Sequence, residues 1–215
     1  GEMIATLGYM VGIANLPLST VSAILQATPL ALTMAAALFM GEQVGWRRWT
    51  AIFVGFVGVL LVIRPGFGEF GLKDMGVLLV VVGITLRDLA SRRIPERCST
   101  AQVSVWGLSA IAVLGTIMMA SSGDAHLPSP WQSAILLGAT VFGSIGYWAI
   151  IGATRTGEVA AVSPFRYVRL VFAVLSGAVV FAEWPGVTTL LGSGLIVASG
   201  LYAFARERAR KRALS

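Results

Sequence analysis

The sequence predicts an all-α fold, a polytopic bundle of about eight membrane-crossing helices. Three observations carry this. Only 12% of the 215 residues are charged and 56% are hydrophobic, whereas a soluble domain has about a quarter charged residues. The apolar residues gather in runs, most of them long enough for the roughly 20 residues that a helix needs to cross a bilayer. The lysines and arginines outside the runs fall mainly in alternate breaks. In lipid, backbone groups find partners only inside a helix or a closed barrel. The runs lack the period-2 alternation of barrel strands, so they read as helices.

Taken in order, span 1 (residues 3–16) is short, and its Gly8 and Gly12 form a small-xxx-small pair suited to close helix contact. Span 2 (18–40) places Ser22, Gln26 and Pro29 on one face, and Pro29 removes a backbone hydrogen bond and favours a kink. Span 3 is 47–64. Span 4 (74–92) holds Arg87 and Asp88 within two turns of its end. Span 5 (100–120) carries Trp106 and follows the polar loop with the single cysteine, Cys98. Span 6 (131–153) contains Gly138, Gly143, Gly146 and Gly152, read as packing positions, together with Tyr147 and Trp148. Span 7 (159–182) contains SPFRYVRLVF at 163–172, and span 8 (187–205) runs into the basic tail RERARKR.

The breaks after spans 2, 4 and 6, together with the tail, hold eleven lysines and arginines, among them Arg47, Arg48, Arg92, Arg93, Arg97 and Arg155. The intervening breaks hold two, Arg64 and Lys73. If every run crosses, the eleven share one side, and the excess of positive charge marks that side as cytoplasmic. The net charge of +6 is therefore a matter of topology. Nucleic acid is not an expected partner, because no basic face interleaved with aromatics is present.

Residues 19–45 and 160–186 align without gaps: Val21 meets Val162, Ser22 meets Ser163, Ala37 meets Ala178, Glu42 meets Glu183 and Gly45 meets Gly186. The charge count puts Glu42 on the cytoplasmic side and Glu183 opposite, so the equivalent segments run in opposite directions. Inverted repeats of this kind build secondary transporters, with the substrate site near the midplane between the halves.

PLSTVSAILQATPL at 17–30, GE at 41–42, GFVGVLLVIRPG at 55–66 and the long stretch SPFRYVRLVF through LYAF at 163–204 resemble the EamA-type transporters of the drug/metabolite transporter superfamily. The second half is the more specific part, and it is similar to the bacterial branch that includes vitamin and S-adenosylmethionine carriers alongside metabolite exporters. The resemblance covers nearly the whole chain. It implies ten helices in two inverted five-helix halves, with both termini cytoplasmic, in a bacterial inner membrane. On that pattern residues 1–73 hold the last three helices of the first repeat, 74–205 the second repeat and 206–215 a cytoplasmic basic tail. The first two helices of the pattern are then absent from this sequence.

An ionised side chain at the bilayer centre costs from about 2.5 to above 10 kcal/mol, so Arg166 and Arg169 need a reason. They lie one helical turn apart and share a face with Ser163. One reading lines a substrate path with them, since a guanidinium fork grips a carboxylate or phosphate bidentately. The competing reading is a salt bridge that ties helices together, with Asp88, beside Arg87, as the partner. The candidate path comprises Arg169, Arg166, Tyr167 and Ser163 of span 7 and Ser22 and Gln26 of the repeat-equivalent span 2. Tyr147 and Trp148 of span 6 complete it as surfaces for stacking on a flat substrate.

The expected partners are a small metabolite, anionic or zwitterionic, and the lipid bilayer; a homodimer is left open. The export and uptake directions both fit. No cofactor is expected. One histidine, His126, and one cysteine far from it give no metal cluster. GFGEFG at 66–71 matches the letters of a dinucleotide fingerprint but has no strand before it and no βαβ unit around it. No catalytic constellation of histidines or paired acids lies at membrane depth, so an intramembrane enzyme is the remotest reading. A non-transporting structural or assembly subunit stands between the two.

Overall fold

The computed structural model describes residues 1–63, 72–95, 97–122, 128–156, 159–182 and 184–212, leaving aside the side chains of 72–74, 156, 159–165, 207–208 and 210–212. Arg64, the GFGEFG segment, His126 and Glu183 lie outside the described residues, as does the side chain of Lys73. Among the described residues the chain forms α1 (Glu2–Asn15), α2 (Leu18–Leu25), α3 (Thr28–Phe39), α4 (Trp46–Ile63), α5 (Leu72–Arg93), α6 (Thr100–Ser122), α7 (Pro130–Thr156), α8 (Val159–Val180) and α9 (Val187–Arg212), and no strand. Among the described residues five segments are long and apolar enough to cross a membrane: Leu18–Phe39, Trp46–Ile63, Thr100–Ser122, Pro130–Arg155 and Val187–Arg206. The fold is a polytopic membrane helix bundle.

Span 2 is not one helix. Pro29 has no N–H for the Leu25 carbonyl, and the Thr28 hydroxyl donates to that oxygen instead at 2.6 Å. The N–H groups of Gln26 and Ala27 turn to the carbonyls of Ala23 and Ile24, at 3.1 and 3.0 Å. These tighter, three-residue bonds separate α2 from α3 at mid-span.

The core forms where α2, α4, α5 and α9 meet. Val21, Ile24, Val77, Val80 and Ile196 are all but completely buried there. Glycines let the backbones come close. A Cβ built on Gly58 of α4 would stand 2.9 Å from the Gly192 carbonyl oxygen of α9, and one on Gly192 would stand 2.6 Å from the Gly58 oxygen. Gly8 of α1 meets Gly76 and Val80 of α5 in the same way, and Gly12 meets Val77. Three of the four span 6 glycines behave differently from the packing expectation; Gly152 alone of them meets a neighbour, Thr100 of α6. Nothing lies within 4 Å of a Cβ built at Gly138, Gly143 or Gly146. Most of α6 and α7 is exposed, and large side chains such as Trp106, Phe142 and Trp148 point outward, as lipid-facing residues do.

The basic breaks are brought to one end of the bundle. Arg92, at the end of α5, pairs with Glu42 beyond α3 at 3.5 Å, and Arg93 donates to the Phe39 carbonyl at 2.7 Å. Arg155, at the end of α7, donates to the carbonyls of Cys98 and Pro95 at 2.7 and 3.2 Å. Arg47 and Arg48, at the start of α4, share a pocket with Arg206 of α9. Hence α3 arrives at the basic end and α8 departs from it. Both α3 and α8 are followed by a residue with left-handed backbone, Gly41 at φ 68° and Ala182 at φ 55°. These two positions are equivalent in the internal repeat. Glycine takes that conformation freely, whereas alanine pays roughly 1–2 kcal/mol.

Two stability tests follow from this geometry. Gly192→Val drives a side chain into the α4 backbone and is expected to destabilise by at least about 1–3 kcal/mol, while Gly138→Ala, in a helix interior with open space, is expected to stabilise by up to about 1 kcal/mol. Ala182→Gly removes the left-handed strain and is expected to stabilise by about 0.5–1 kcal/mol. Thermal unfolding of the detergent-purified variants measures all three.

Candidate functional site

A cavity of about 680 Å³ opens at the break between α2 and α3, within the range of small-molecule sites. Gln26, Thr28 and Pro29 come from the break itself, Arg87 from α5, Tyr147 from α7, and Arg166 and Arg169 from α8. Gly143 and Gly146 of α7 also line it, so their missing side chains widen the space instead of admitting a helix.

The charge arrangement centres on Asp88, whose side chain has no solvent exposure. Arg166 Nη2 donates to Asp88 Oδ2 at 2.6 Å, and Arg87 Nε donates to Asp88 Oδ1 at 2.8 Å. One carboxylate thus accepts from two guanidiniums, one on its own helix and one on α8. A buried charge is tolerated only when paired and hydrogen-bonded, and Asp88 satisfies both conditions. Arg166 also lies 3.3 Å from the Thr154 hydroxyl of α7.

Arg87 has a second partner in Glu2 of α1, at 3.5 Å. The Tyr147 hydroxyl donates to the same Glu2 oxygen at 2.5 Å, and the Arg87 guanidinium lies 5.6 Å from the Tyr147 ring centroid, within cation–π range. Gly107 of α6 makes this reach possible, because any Cβ there would collide with the Tyr147 hydroxyl. Three cations, Arg87, Arg166 and Arg169, therefore face two carboxylates, Glu2 and Asp88. Arg169 stands at the centre of α8 and has no carboxylate partner among the described residues.

Gln26 fixes the opposite wall. With its amide oriented to satisfy both neighbours, its nitrogen donates to the Arg166 carbonyl at 3.1 Å and its oxygen accepts from the Leu170 N–H at 3.0 Å. A side chain from the α2–α3 break thereby bridges both ends of one helical rung of α8, the rung that carries Arg166 and Arg169.

The sequence-derived candidates divide as follows. Arg166, Arg169, Gln26, Tyr147 and Arg87 line the cavity, with Asp88 buried behind them. Tyr167 is buried and turns its ring to Gly200 of α9. Ser22 is buried in the core, and Trp148 is 53% exposed on the outer surface; neither is among the cavity's lining residues. Ser163 belongs to α8, with its side chain outside the described residues. Sequence reasoning missed Glu2. It lay one residue before the first apolar run, and the available signal was an acidic residue at a helix start with two uncompensated arginines elsewhere. Among the described residues no group of three or more metal-binding side chains exists.

The fold and the site together define a multi-pass membrane protein with a largely apolar cavity to which three arginines are brought. The EamA-like transporter family profile matches residues 2–64 and 72–204, and the chain belongs to that family. It is 25% identical to an S-adenosylmethionine uptake transporter of Rickettsia bellii, over 92% of this chain and 67% of the relative. It is also 25% identical to a riboflavin transporter of Rhizobium johnstonii, over 98% of this chain and 70% of the relative. A riboflavin transporter of Vibrio cholerae is 27% identical over 88% and 63%. The chain thus spans about two thirds of the length of these curated relatives. No solved structure matches it.

The double pairing of Asp88 has a measurable consequence. Asp88→Asn leaves Arg87 and Arg166 without their shared counter-charge and is expected to destabilise by about 3–5 kcal/mol. Adding Arg166→Gln to that variant restores part of the loss, because it removes one orphaned cation. A double-mutant cycle on thermal unfolding in detergent checks both, and a cycle with no coupling would refute the assignment.

Proposed function

We propose that the chain carries a small organic metabolite across a bacterial inner membrane by alternating access, with its basic end and C-terminus in the cytoplasm. The observation that carries the reading is Arg169. It stands in mid-helix on the wall of a metabolite-sized cavity, in a site whose other two arginines are held by carboxylates. A charge kept at that depth is costly, and a substrate carboxylate or phosphate would offset it. The preferred class is therefore anionic or zwitterionic, with the Tyr147 ring as a surface for a flat portion of the molecule.

The two family-matched segments, the opposite directions of α3 and α8 and their like helix exits support a division near residue 73 into two inverted repeats. Bundles of that kind place the substrate between the halves, and the cavity lies between α2–α3 and α8. The basic end collects Arg47, Arg92, Arg155 and Arg206, and that bias supports its cytoplasmic placement. The names of the relatives make S-adenosylmethionine and riboflavin the first compounds to try.

The test is uptake into liposomes by purified protein, comparing anionic, zwitterionic, cationic and neutral metabolites with and without a pH gradient. Arg169→Ala is expected to reduce saturable uptake by 10-fold or more, about 1.4 kcal/mol in binding terms, while the protein remains monodisperse. Arg169→Lys keeps the charge without the fork and is expected to fall between. Full uptake in a well-folded Arg169→Ala variant would remove Arg169 from the site.

A further inference from the structure

A second pocket, of about 360 Å³, lies at the basic end of the bundle, well away from the central cavity in sequence and sharing no lining residue with it. It is formed by Gly45, Trp46, Arg47 and Arg48 at the start of α4 and by Arg206 and Ala209 on α9. We infer that this pocket binds the phosphate of an anionic phospholipid headgroup.

Position is the first argument. The apolar span of α4 begins at Trp46 and that of α9 ends at Arg206. The pocket therefore sits at the level where both helices leave the hydrocarbon, which is headgroup depth. Tryptophan concentrates at that level, and Trp46 is 71% exposed there.

Charge is the second. Three other arginines of this end donate into the protein: Arg92 to Glu42, Arg93 to Phe39, and Arg155 to Cys98 and Pro95. Arg47 instead lies over the Trp46 ring, 5.4 Å from its centroid, and no carboxylate lines the pocket among the described residues. Guanidiniums from two helices converge on one space, and planar forks of this kind match phosphate oxygens. Two tightly packed helices hold them, since α4 and α9 meet at Gly58 and Gly192.

The third argument selects a lipid over a free anion. Trp46, Phe53, Val57 and Leu60 recur at helical spacing along α4 and are all exposed. This apolar stripe starts at the pocket and runs into the membrane. A headgroup in the pocket would lay its acyl chains along it, whereas inorganic phosphate has no use for such a surface. Basic residues near an anionic leaflet each contribute on the order of fivefold in binding.

The experiment uses the full chain purified in detergent and incubated with equal amounts of phosphatidylglycerol and phosphatidylcholine. Retained lipid is quantified by mass spectrometry. The expected result is selective retention of phosphatidylglycerol that millimolar inorganic phosphate does not displace. Arg47→Gln with Arg206→Gln is expected to lower that retention about thirtyfold, and Arg47→Lys with Arg206→Lys to lower it less. Neutralising Arg210, Lys211 and Arg212 in the tail serves as the control and is expected to leave selectivity in place. Equal retention of both lipids by the unaltered protein would overturn the proposal without any variant being needed. Displacement by inorganic phosphate would make this a soluble-anion site, and loss of selectivity only in the tail variant would assign it to the tail. Either outcome also overturns the proposal.

Discussion

The burial of Asp88 between Arg87 and Arg166 is the constraint on which the rest of the site depends. A carboxylate with no solvent exposure has to be compensated where it stands, and two guanidiniums do so from two helices. That requirement fixes the rotation of α5, which must point Asp88 inward. It also fixes the rotation of α8, which must turn Arg166 toward α5. Because Arg166 and Arg169 share a helix face, turning the first inward brings the second to the cavity wall. Glu2 and Tyr147 then complete a chain of contacts that runs from α8 through α5 to α1 and α7. The ion pair is not a source of stability to be added to packing, since burying it costs about what its attraction returns. Its effect is on geometry: other rotations of α5 or α8 would leave a charge alone in an apolar medium.

The opposite wall is organised by a defect. Pro29 interrupts the span at the level where Gln26 can reach α8, and the freed Leu25 carbonyl is quieted by the Thr28 hydroxyl. At the break Gln26 spans the Arg166 carbonyl and the Leu170 N–H. The segment that the sequence repeat pairs with α8 is thus the one that grips α8 by hydrogen bonds. A proline in a membrane helix is tolerated where other groups re-satisfy the backbone, and here they do so within the chain.

Much of this was legible in the sequence, and the illegible parts have physical causes. The helices could be read because lipid excludes every other way of pairing the backbone, so apolar run length almost determines each one. The gathering of the basic residues at one end followed from their alternation between breaks. Arg166, Arg169, Gln26 and Tyr147 stood out as polar or aromatic groups where water is absent, and they do converge. The choice between Asp88 as a staple and the arginines as a path was posed correctly but could not be decided, since it depends on which helices are neighbours. Tyr167 and Ser22 looked equivalent to their cavity-lining neighbours in a one-dimensional string. The sequence does not show that Tyr167 turns to the gap at Gly200, or that Ser22 faces the core. Glycines misled in the same way. Gly58 and Gly192 admit a neighbouring backbone, whereas Gly143 and Gly146 open a space, and composition does not distinguish the two uses.

The two arginines of SPFRYVRLVF answer the question of cost differently, and each depends on the other. Arg166 is paired within the protein, and its pairing sets the angle of the helix. Arg169, three residues on, inherits that angle and arrives at the cavity without a carboxylate of its own among the described residues. Had both been paired, the site would be neutral and the cavity merely polar. Had neither been, two charges would have to be desolvated together, at a cost that no single anion could offset. One held and one available is the arrangement that leaves an exposed guanidinium on the cavity wall, at mid-helix, with something to bind. Any motion that separated α5 from α8 would break the Arg166–Asp88 pair and leave the buried Asp88 with Arg87 alone. A motion that kept α5 and α8 together would leave the pair intact and move the α2–α3 wall, which is held to α8 by the neutral hydrogen bonds of Gln26 and by apolar packing at Leu170, with no ion pair among the described residues.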